Sequence, residues 1–142
     1  MTVSIASGVW EGGLKTGKGR FNAASNSFQG AYTFATRFEG ALGTTPEELM
    51  AAAHASCLSM ALSADLERAG TPPTRVAVKA SCTIEPVRGK PTVSKMHLEV
   101  RGKVPGIDQA AFQKAAEGAK LNCPVSRALA NNVTFELDAK LE

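Results

Sequence analysis

The alternation of apolar and polar positions indicates a strand-rich region at the start of the chain. It predicts a first strand from Val3–Ala6 with Val9–Trp10, a second over Gly19–Ala24 and a third over Ala31–Glu39, with glycine-containing turns between them. The third segment alternates most regularly, with aromatic residues on one face and Arg37 on the other. We therefore expect Arg37 to lie on a strand.

A long segment that is almost free of charge follows and predicts a helix over Pro46–Arg68. Thr45 suits the N-cap position, and Glu48, three residues later, completes a capping box. Gly70 provides the stop signal. Because Leu49–Leu62 carries almost no charge, we expect this helix to be buried nearly all round and to form the core.

The rest of the chain predicts a hairpin, two helices and a last strand. These elements are expected at Val76–Ile84, Val93–Val104, Gln109–Lys120, Pro124–Asn131 and Val133–Leu141. This order is typical of the α+β class, with antiparallel sheets around the long buried central helix. A length of 142 residues suits one domain spanning residues 1–142.

Composition and charge narrow the classes of function. The net charge is only +3 and the basic residues are scattered, so nucleic-acid binding is not predicted. The N-terminus lacks the pattern of a signal peptide and no eighteen consecutive residues are apolar, so we expect a cytoplasmic protein that does not bind a membrane. Three widely spaced cysteines do not suit the disulfide framework of a secreted protein.

Two cysteines are the best candidates for chemistry. Cys57 lies in the middle of the long helix, and Cys123 directly precedes Pro124 at the start of a helix, where free N–H groups and the helix dipole favour a thiolate. Burial alone raises the pKa of a thiol such as Cys57, so a reactive Cys57 needs a nearby cation. Arg37 and His54 are the two candidates. The alternative is that Cys57 is an inert, small apolar residue.

Plain structural roles stay open for the other residues. Arg37 also fits a surface position on a strand, and His54 fits a partly buried histidine at a helix contact. Cys82 alternates with apolar strand residues and is expected in the core, whereas His97 lies on a polar strand face and is expected to be solvated. The chain has no paired spacing of the C-x2-C or H-x3-H kind, so neither a metal nor a cofactor is predicted.

Longer motifs closely resemble the OsmC/Ohr family of hydroperoxide reductases, the OsmC branch more than the Ohr branch. The similarity extends from about Trp10 to the end of the chain, and Thr45 stands where the family commonly has asparagine, which is also a good helix cap. The motifs are Thr36–Gly40, Gly43–Leu49, Ala51–Cys57, Val104–Asp108 and Asn122–Ser126.

The resemblance implies a thiol-dependent peroxidase that reduces organic hydroperoxides and, less well, hydrogen peroxide. It assigns Cys57 as the peroxidatic cysteine and Cys123 as the resolving cysteine, joined in a Cys57–Cys123 disulfide during turnover. Arg37 and Glu47 complete the site. The resemblance also implies an intertwined homodimer with active sites at the subunit interface, and a dithiol reductant of the dihydrolipoyl kind.

Helix geometry adds an expectation about the dimer. Glu47 and Cys57 are ten residues apart, so a continuous helix separates them by roughly 15 Å along its axis. We therefore expect Glu47, with or without Arg37, to enter the site from the partner subunit. Two other functions remain open: a non-enzymatic binder of small apolar ligands, and a cysteine redox sensor without turnover.

Overall fold

Six strands and four helices make up the chain, which belongs to the predicted α+β class. The computed structural model describes residues 1–142 as two compact units, Met1–Leu49 and Met50–Glu142. That the whole chain acts as one domain stays a prediction. The elements are β1 (Ala6–Glu11), β2 (Lys18–Ala23), β3 (Gln29–Tyr32), α1 (Phe34–Phe38), α2 (Pro46–Arg68), β4 (Arg75–Val87), β5 (Lys90–Lys103), α3 (Gln109–Asn122), α4 (Pro124–Leu129) and β6 (Thr134–Leu141).

The first unit contains a three-stranded antiparallel sheet in the order β1-β2-β3. Trp10 and Tyr32 both pair with Gly19 of the central strand, and their rings lie 5.5 Å apart between centroids. Because Gly19 has no side chain, the two rings can meet across it: a Cβ at that position would lie 2.5 Å from the Tyr32 ring. The aromatic residues of the predicted strands therefore pack together on this sheet.

Arg37 lies on helix α1 and not on a strand, so the prediction of a strand over Ala31–Glu39 was wrong beyond Tyr32. The reason is a local capping box. The Thr33 hydroxyl accepts a hydrogen bond from the Thr36 N–H at 3.1 Å, and the Thr36 hydroxyl accepts one from the Thr33 N–H at 2.9 Å. Phe34 and Phe38 then lie side by side on one helix face, with their rings tilted by 47°. Positions four residues apart share a face in a strand as well as in a helix, which explains the wrong prediction.

Helix α2 has the predicted bounds, Pro46–Arg68, and the Thr45 hydroxyl accepts a hydrogen bond from the Glu48 N–H at 3.0 Å. Within the part of α2 that belongs to the second unit, the buried residues form one stripe at a spacing of four residues, from His54 through two leucines to Leu66. On another face Met60 is 77% exposed. The prediction that this helix is buried nearly all round was therefore wrong, because only one of its faces is buried. By length and composition alone the helix could cross a membrane, a test that core helices also pass.

The second unit contains the sheet β4-β5-β6, in which one pairing differs from the prediction. Strands β4 and β5 form the expected antiparallel hairpin, which turns at Arg88 and Gly89, both with positive φ. Strand β6 runs parallel to β5. The chain reaches β6 through α3 and α4, and a helical crossover of this kind returns the next strand in the same direction.

The core of the second unit is one cluster of apolar side chains. Helices α2 and α3 and the sheet β4-β5-β6 all contribute to it. The predicted inward residues of β5 are fully buried, and Asp108 caps α3 as expected, its carboxylate accepting a hydrogen bond from the Ala111 N–H at 2.8 Å. Cys82 is partly buried and packs against this core, as predicted. The buried β5 residues are Met96, Leu98 and Val100.

Ion pairs cover the other face of this sheet. Glu136 accepts from Lys95 at 3.0 Å and lies 3.1 Å from His97 Nδ1, and Arg101 donates to Asp138 at 2.8 Å. The lysine first and the histidine second lower the pKa of Glu136, and Arg101 lowers that of Asp138. His97 thus lies on a polar face as expected, but it has a carboxylate partner. Exposed pairs of this kind add little stability.

Gly102 allows α3 to approach the sheet closely. A Cβ at this position would lie 2.5 Å from two carbons of the Phe112 ring, which is fully buried. We expect Gly102→Ala to lower the free energy of unfolding by about 1–3 kcal/mol, because the ring must move within a packed core. Chemical denaturation measures this change.

Gly118→Ala is the matched control. Gly118 lies in α3 with no atom within 4 Å of its would-be Cβ, so the substitution is expected to stabilise the protein by up to about 1 kcal/mol. Equal effects of the two substitutions would contradict the close approach at Gly102.

Candidate functional site

Two thiols meet in the second unit. Cys57 comes from the middle of α2, and its thiol lies near enough to the Cys123 side chain and the Val125 backbone for both to shift its pKa. Cys57 is partly exposed, whereas Cys123 is 1% exposed. The structure therefore brings together the two cysteines that the sequence singled out. Both are free thiols.

The junction between α3 and α4 fixes the position of Cys123. Its N–H donates to the Ala119 carbonyl at 3.0 Å and ends α3, and its sulfur accepts a hydrogen bond from the Ser126 N–H at 3.3 Å as the N-cap of α4. Pro124 occupies the first turn of α4, where its missing N–H costs nothing. Cys123 thus takes the place of the usual serine or aspartate cap.

The surroundings of Cys57 within this unit favour its neutral form. Burial raises the pKa of the Cys57 thiol, and the neighbouring Cys123 raises it further, while the Val125 backbone N–H lowers it. A thiolate at Cys57 therefore needs a source of positive charge besides the groups of this cluster.

His54 does not supply that charge. It is fully buried, with its ring edge against Phe135 at 5.0 Å between centroids, and its Nε2 lies 2.7 Å from Ser126 Oγ. Burial lowers the pKa of His54, so the ring is neutral at neutral pH. Partial burial at a helix contact was expected for His54; the burial is complete, and Nδ1 has no hydrogen-bond partner.

The other two predicted site residues form an ion pair in the first unit. Arg37 donates from Nε at 2.9 Å and from Nη2 at 2.6 Å, both to Glu47 Oε1. The Arg37 guanidinium also lies 5.2 Å from the centroid of the Phe38 ring. Glu47 is 5% exposed, and its second oxygen, Oε2, is buried without a partner. The guanidinium is therefore held firmly and keeps further N–H groups for another acceptor.

An aromatic recess of about 250 Å³ opens beside Arg37 in the first unit. Its apolar walls adjoin the guanidinium, an arrangement that suits a molecule with an apolar body and a polar end. The sequence did not indicate it, because its lining comes from β1, β3 and α1 together. The lining residues are Trp10, Leu14, Tyr32, Thr33, Phe34, Arg37 and Phe38.

The structure thus places the four predicted site residues in two pairs, Cys57 with Cys123 and Arg37 with Glu47. Two further residues near the thiols, Ser126 and Val125, were not predicted from the sequence. Ser126 touches both His54 and the Cys123 sulfur, and Val125 directs its N–H at Cys57. Ser126 follows Cys123 by three residues, the spacing of a helix N-cap and its N3 residue. This spacing is the one feature of the sequence that could have predicted the contact between them. The contact between His54 and Ser126 spans 72 positions and left no local pattern.

The chain is similar to known proteins over most of its length. The family model described as OsmC-like protein matches residues 38–138. Peroxiredoxin OsmC of Escherichia coli (strain K12) is 42% identical over 132 residues, which cover 92% of each chain. An organic hydroperoxide resistance protein of Xanthomonas axonopodis pv. citri (strain 306) is 32% identical over 99 residues, covering 69% of this chain and 68% of that protein.

A solved structure shows the same fold. The organic hydroperoxide resistance protein OhrB of Bacillus subtilis superposes with a TM-score of 0.76 at 22% identity, covering 96% of this chain and 98% of that one. The higher identity to the OsmC protein agrees with the predicted branch. The predicted resemblance and the predicted α+β fold are therefore both confirmed.

The buried, neutral His54 gives stability a pH dependence. In the unfolded chain the pKa of a histidine is near 6.5, and in the folded protein it is lower, so the unfolded state binds more protons as the pH falls below 6.5. His54 therefore contributes stability above that pH that is lost as the pH falls toward the lowered value. We expect a loss of up to about 1.4 kcal/mol per pH unit in that window.

Urea denaturation of His54→Gln and of the wild type between about pH 7 and 5 measures this contribution. The slope of stability against pH should be smaller in the variant than in the wild type. A wild-type slope in His54→Gln would show that His54 is not the group responsible.

Proposed function

This chain belongs to the OsmC-like protein family, and on that premise we propose that it is a thiol-dependent hydroperoxide reductase. The observation that carries the proposal is the proximity of the Cys57 and Cys123 side chains, which come from positions 66 residues apart (123 − 57). A thiol close to a sulfenic acid can condense with it to form a disulfide and water.

The proposed chemistry has three steps. The Cys57 thiolate attacks the terminal oxygen of the hydroperoxide, the O–O bond breaks, and a proton completes the departing alcohol, which leaves Cys57 as a sulfenic acid. The Cys123 sulfur then displaces the hydroxyl, which leaves as water, and the Cys57–Cys123 disulfide forms. An external dithiol reduces that disulfide through a mixed disulfide and is itself oxidised.

Arg37 is proposed as the cation that Cys57 lacks within its own unit. A guanidinium stays charged at every relevant pH, so it would counter the rise in the pKa of Cys57 and stabilise charge on the departing oxygen. Glu47 supports this role, because its Oε1 accepts two N–H groups of Arg37 and so holds the guanidinium in one orientation.

We propose that Arg37 and Glu47 reach Cys57 from a second copy of the chain in a homodimer. Helix α2 is continuous from Pro46 to Arg68, so Glu47 and Cys57 lie roughly 15 Å apart along it. Because Arg37 binds Glu47 of its own chain, the two enter a site together. Met60, which is 77% exposed on the same helix, is an apolar residue that a partner helix would cover.

The recess beside Arg37 favours an organic hydroperoxide over hydrogen peroxide. Its aromatic walls would bind an alkyl or aryl group, while the guanidinium faces the peroxide end. We further propose a dihydrolipoyl dithiol as the reductant and the cytoplasm as the compartment, where a reducing environment would regenerate the thiols.

Counting thiols tests the enzyme against its two alternatives. We expect that an alkyl hydroperoxide consumes both Cys57 and Cys123, and that added dihydrolipoate sustains turnover. A single loss of thiols with no turnover under any dithiol indicates a redox sensor. No loss of thiols indicates a binder of small apolar ligands and overturns the proposal.

Substitution of each cysteine separates the two roles. Cys57→Ser should abolish consumption of the peroxide, because the first nucleophile is gone. Cys123→Ser should allow one oxidation and then accumulate sulfenic and sulfinic acid at Cys57, which mass spectrometry detects. Cys82→Ser, at a partly buried position that packs against the core of the second unit, is the matched control and should turn over like the wild type. Full activity of Cys57→Ser would refute the mechanism.

Mixing two inactive variants tests the shared site. In a 1:1 mixture of Cys57→Ser and Arg37→Ala after subunit exchange, half of the dimers are mixed, and each mixed dimer holds one site with both residues if the residues come from different chains. We expect recovery to about a quarter of wild-type activity. No recovery, with mixed dimers demonstrated by native mass spectrometry, would show that each site is built from one chain.

A further inference from the structure

We propose that Ser126, positioned by His54, stabilises the Cys123 thiolate when the Cys57–Cys123 disulfide forms and when it is reduced. The inference rests on the proposed function, because it assigns two more residues to the resolving half of that reaction. Ser126 touches the reacting sulfur, whereas His54 acts through Ser126 as a positioning residue.

A buried chain of three side chains carries the inference. His54 Nε2 lies 2.7 Å from Ser126 Oγ, and Ser126 Oγ lies 3.0 Å from Cys123 Sγ. None of the three is more than 1% exposed, so water does not compete for these hydrogen bonds. Helix capping uses only the Ser126 backbone N–H, which donates to the sulfur at 3.3 Å. The hydroxyl and the imidazole are therefore additional to the cap.

The direction of the hydrogen bonds follows from the unpaired ring nitrogen. His54 Nδ1 is buried without a partner, and a buried N–H without an acceptor is rarer in proteins than an unused acceptor. We therefore assign the ring proton to Nε2. His54 then donates to Ser126 Oγ, and the serine proton is left to point at Cys123 Sγ. Two donors, the hydroxyl and the backbone N–H of Ser126, converge on one sulfur.

This arrangement acts on the second step of the reaction. As the Cys123 sulfur attacks the sulfenic sulfur of Cys57, the S–S bond forms and the S–O bond breaks. The departing hydroxide takes up the proton that the Cys123 thiol gave up, and water leaves. Hydrogen bonds to the sulfur stabilise the thiolate that makes this attack.

The same donors act again during reduction. A thiolate of the external dithiol attacks one sulfur, and the other sulfur leaves with the electron pair of the S–S bond. Cys57 is partly exposed and Cys123 is buried against two donors, so the dithiol attacks Cys57 and Cys123 leaves as the thiolate. The mixed disulfide therefore forms on Cys57.

Variants of the two residues test the proposal in separate steps. Ser126→Ala removes the hydroxyl and keeps the backbone cap, and His54→Leu removes the ring donor. His54→Gln places an amide donor near Nε2 and serves as the conservative rescue. Ser59→Ala is the matched control, since its hydroxyl bonds only the Ser56 carbonyl on the same helix.

Rapid mixing with one equivalent of an alkyl hydroperoxide separates the steps. Trapping of the sulfenic acid with a dimedone probe in the Cys123→Ser background reports the first step, and disulfide formation is followed between roughly pH 5.5 and 9. Trapping of the reduction intermediate by mass spectrometry identifies the sulfur that the dithiol attacks.

We expect Ser126→Ala and His54→Leu to leave the first step within about twofold and to slow disulfide formation roughly tenfold or more near neutral pH. The loss should shrink as the pH rises, because hydroxide then removes the thiol proton without help. His54→Gln should recover most of the rate, and the mixed disulfide should be on Cys57.

The outcomes distinguish this inference from the function on which it rests. Wild-type rates of disulfide formation in Ser126→Ala at every pH would overturn the inference and leave the reductase intact. An equal loss at all pH values, with a lowered Tm and no rescue by glutamine, would reduce the two residues to a structural role. If His54→Leu does not fold, the rate of disulfide formation in Ser126→Ala alone tests the inference. If the wild type forms no sulfenic acid, the proposed function itself fails.

Discussion

The cap at the start of helix α4 determines the geometry of the thiol cluster. One residue, Cys123, ends α3 through its N–H and begins α4 through its sulfur, which accepts a hydrogen bond from the Ser126 N–H. A serine or aspartate would serve the helix as well and is the usual choice. A sulfur in this position accepts a hydrogen bond and lies close to Cys57, so the fold and the proposed chemistry use the same atom.

That arrangement leaves a deficit of positive charge at Cys57. Burial and the neighbouring thiol both raise the pKa of Cys57, and the buried His54 is neutral. Arg37, which we propose as the source of this charge, is fixed by two hydrogen bonds to one oxygen of a buried carboxylate. An ion pair of this type is a weak source of stability, since burying Glu47 costs desolvation energy that the pair must offset. We propose instead that Glu47 orients the Arg37 guanidinium.

The elements that depend on local signals were predictable from the sequence. Helix α2 has the predicted bounds because its cap, its stop signal and its lack of charge all agree, and the inward face of β5 follows from its alternation. Arg37 was assigned to a strand because residues four apart lie on one face in both a strand and a helix. The segment is a helix because Thr33 caps it. The parallel pairing of β6 depends on a crossover through two helices and has no local signature.

The site shows the same division between local and distant signals. Cys57, Cys123, Arg37 and Glu47 stand in motifs that can be read in sequence, although their roles remain proposals. The hydroxyl of Ser126 matters only because His54, on another helix, lies 2.7 Å away, and no pattern in either segment predicts the other. From the sequence, His54 fitted a partly buried histidine at a helix contact, and Ser126 stood in the Asn122–Ser126 motif without an assigned role. Together with Cys123 they form a polar chain in an apolar core, where each unsatisfied group costs free energy. Burying these polar side chains costs desolvation free energy that apolar side chains of similar size would not cost. Because the chain of hydrogen bonds ends at the Cys123 sulfur, we assign it to the chemistry of that sulfur.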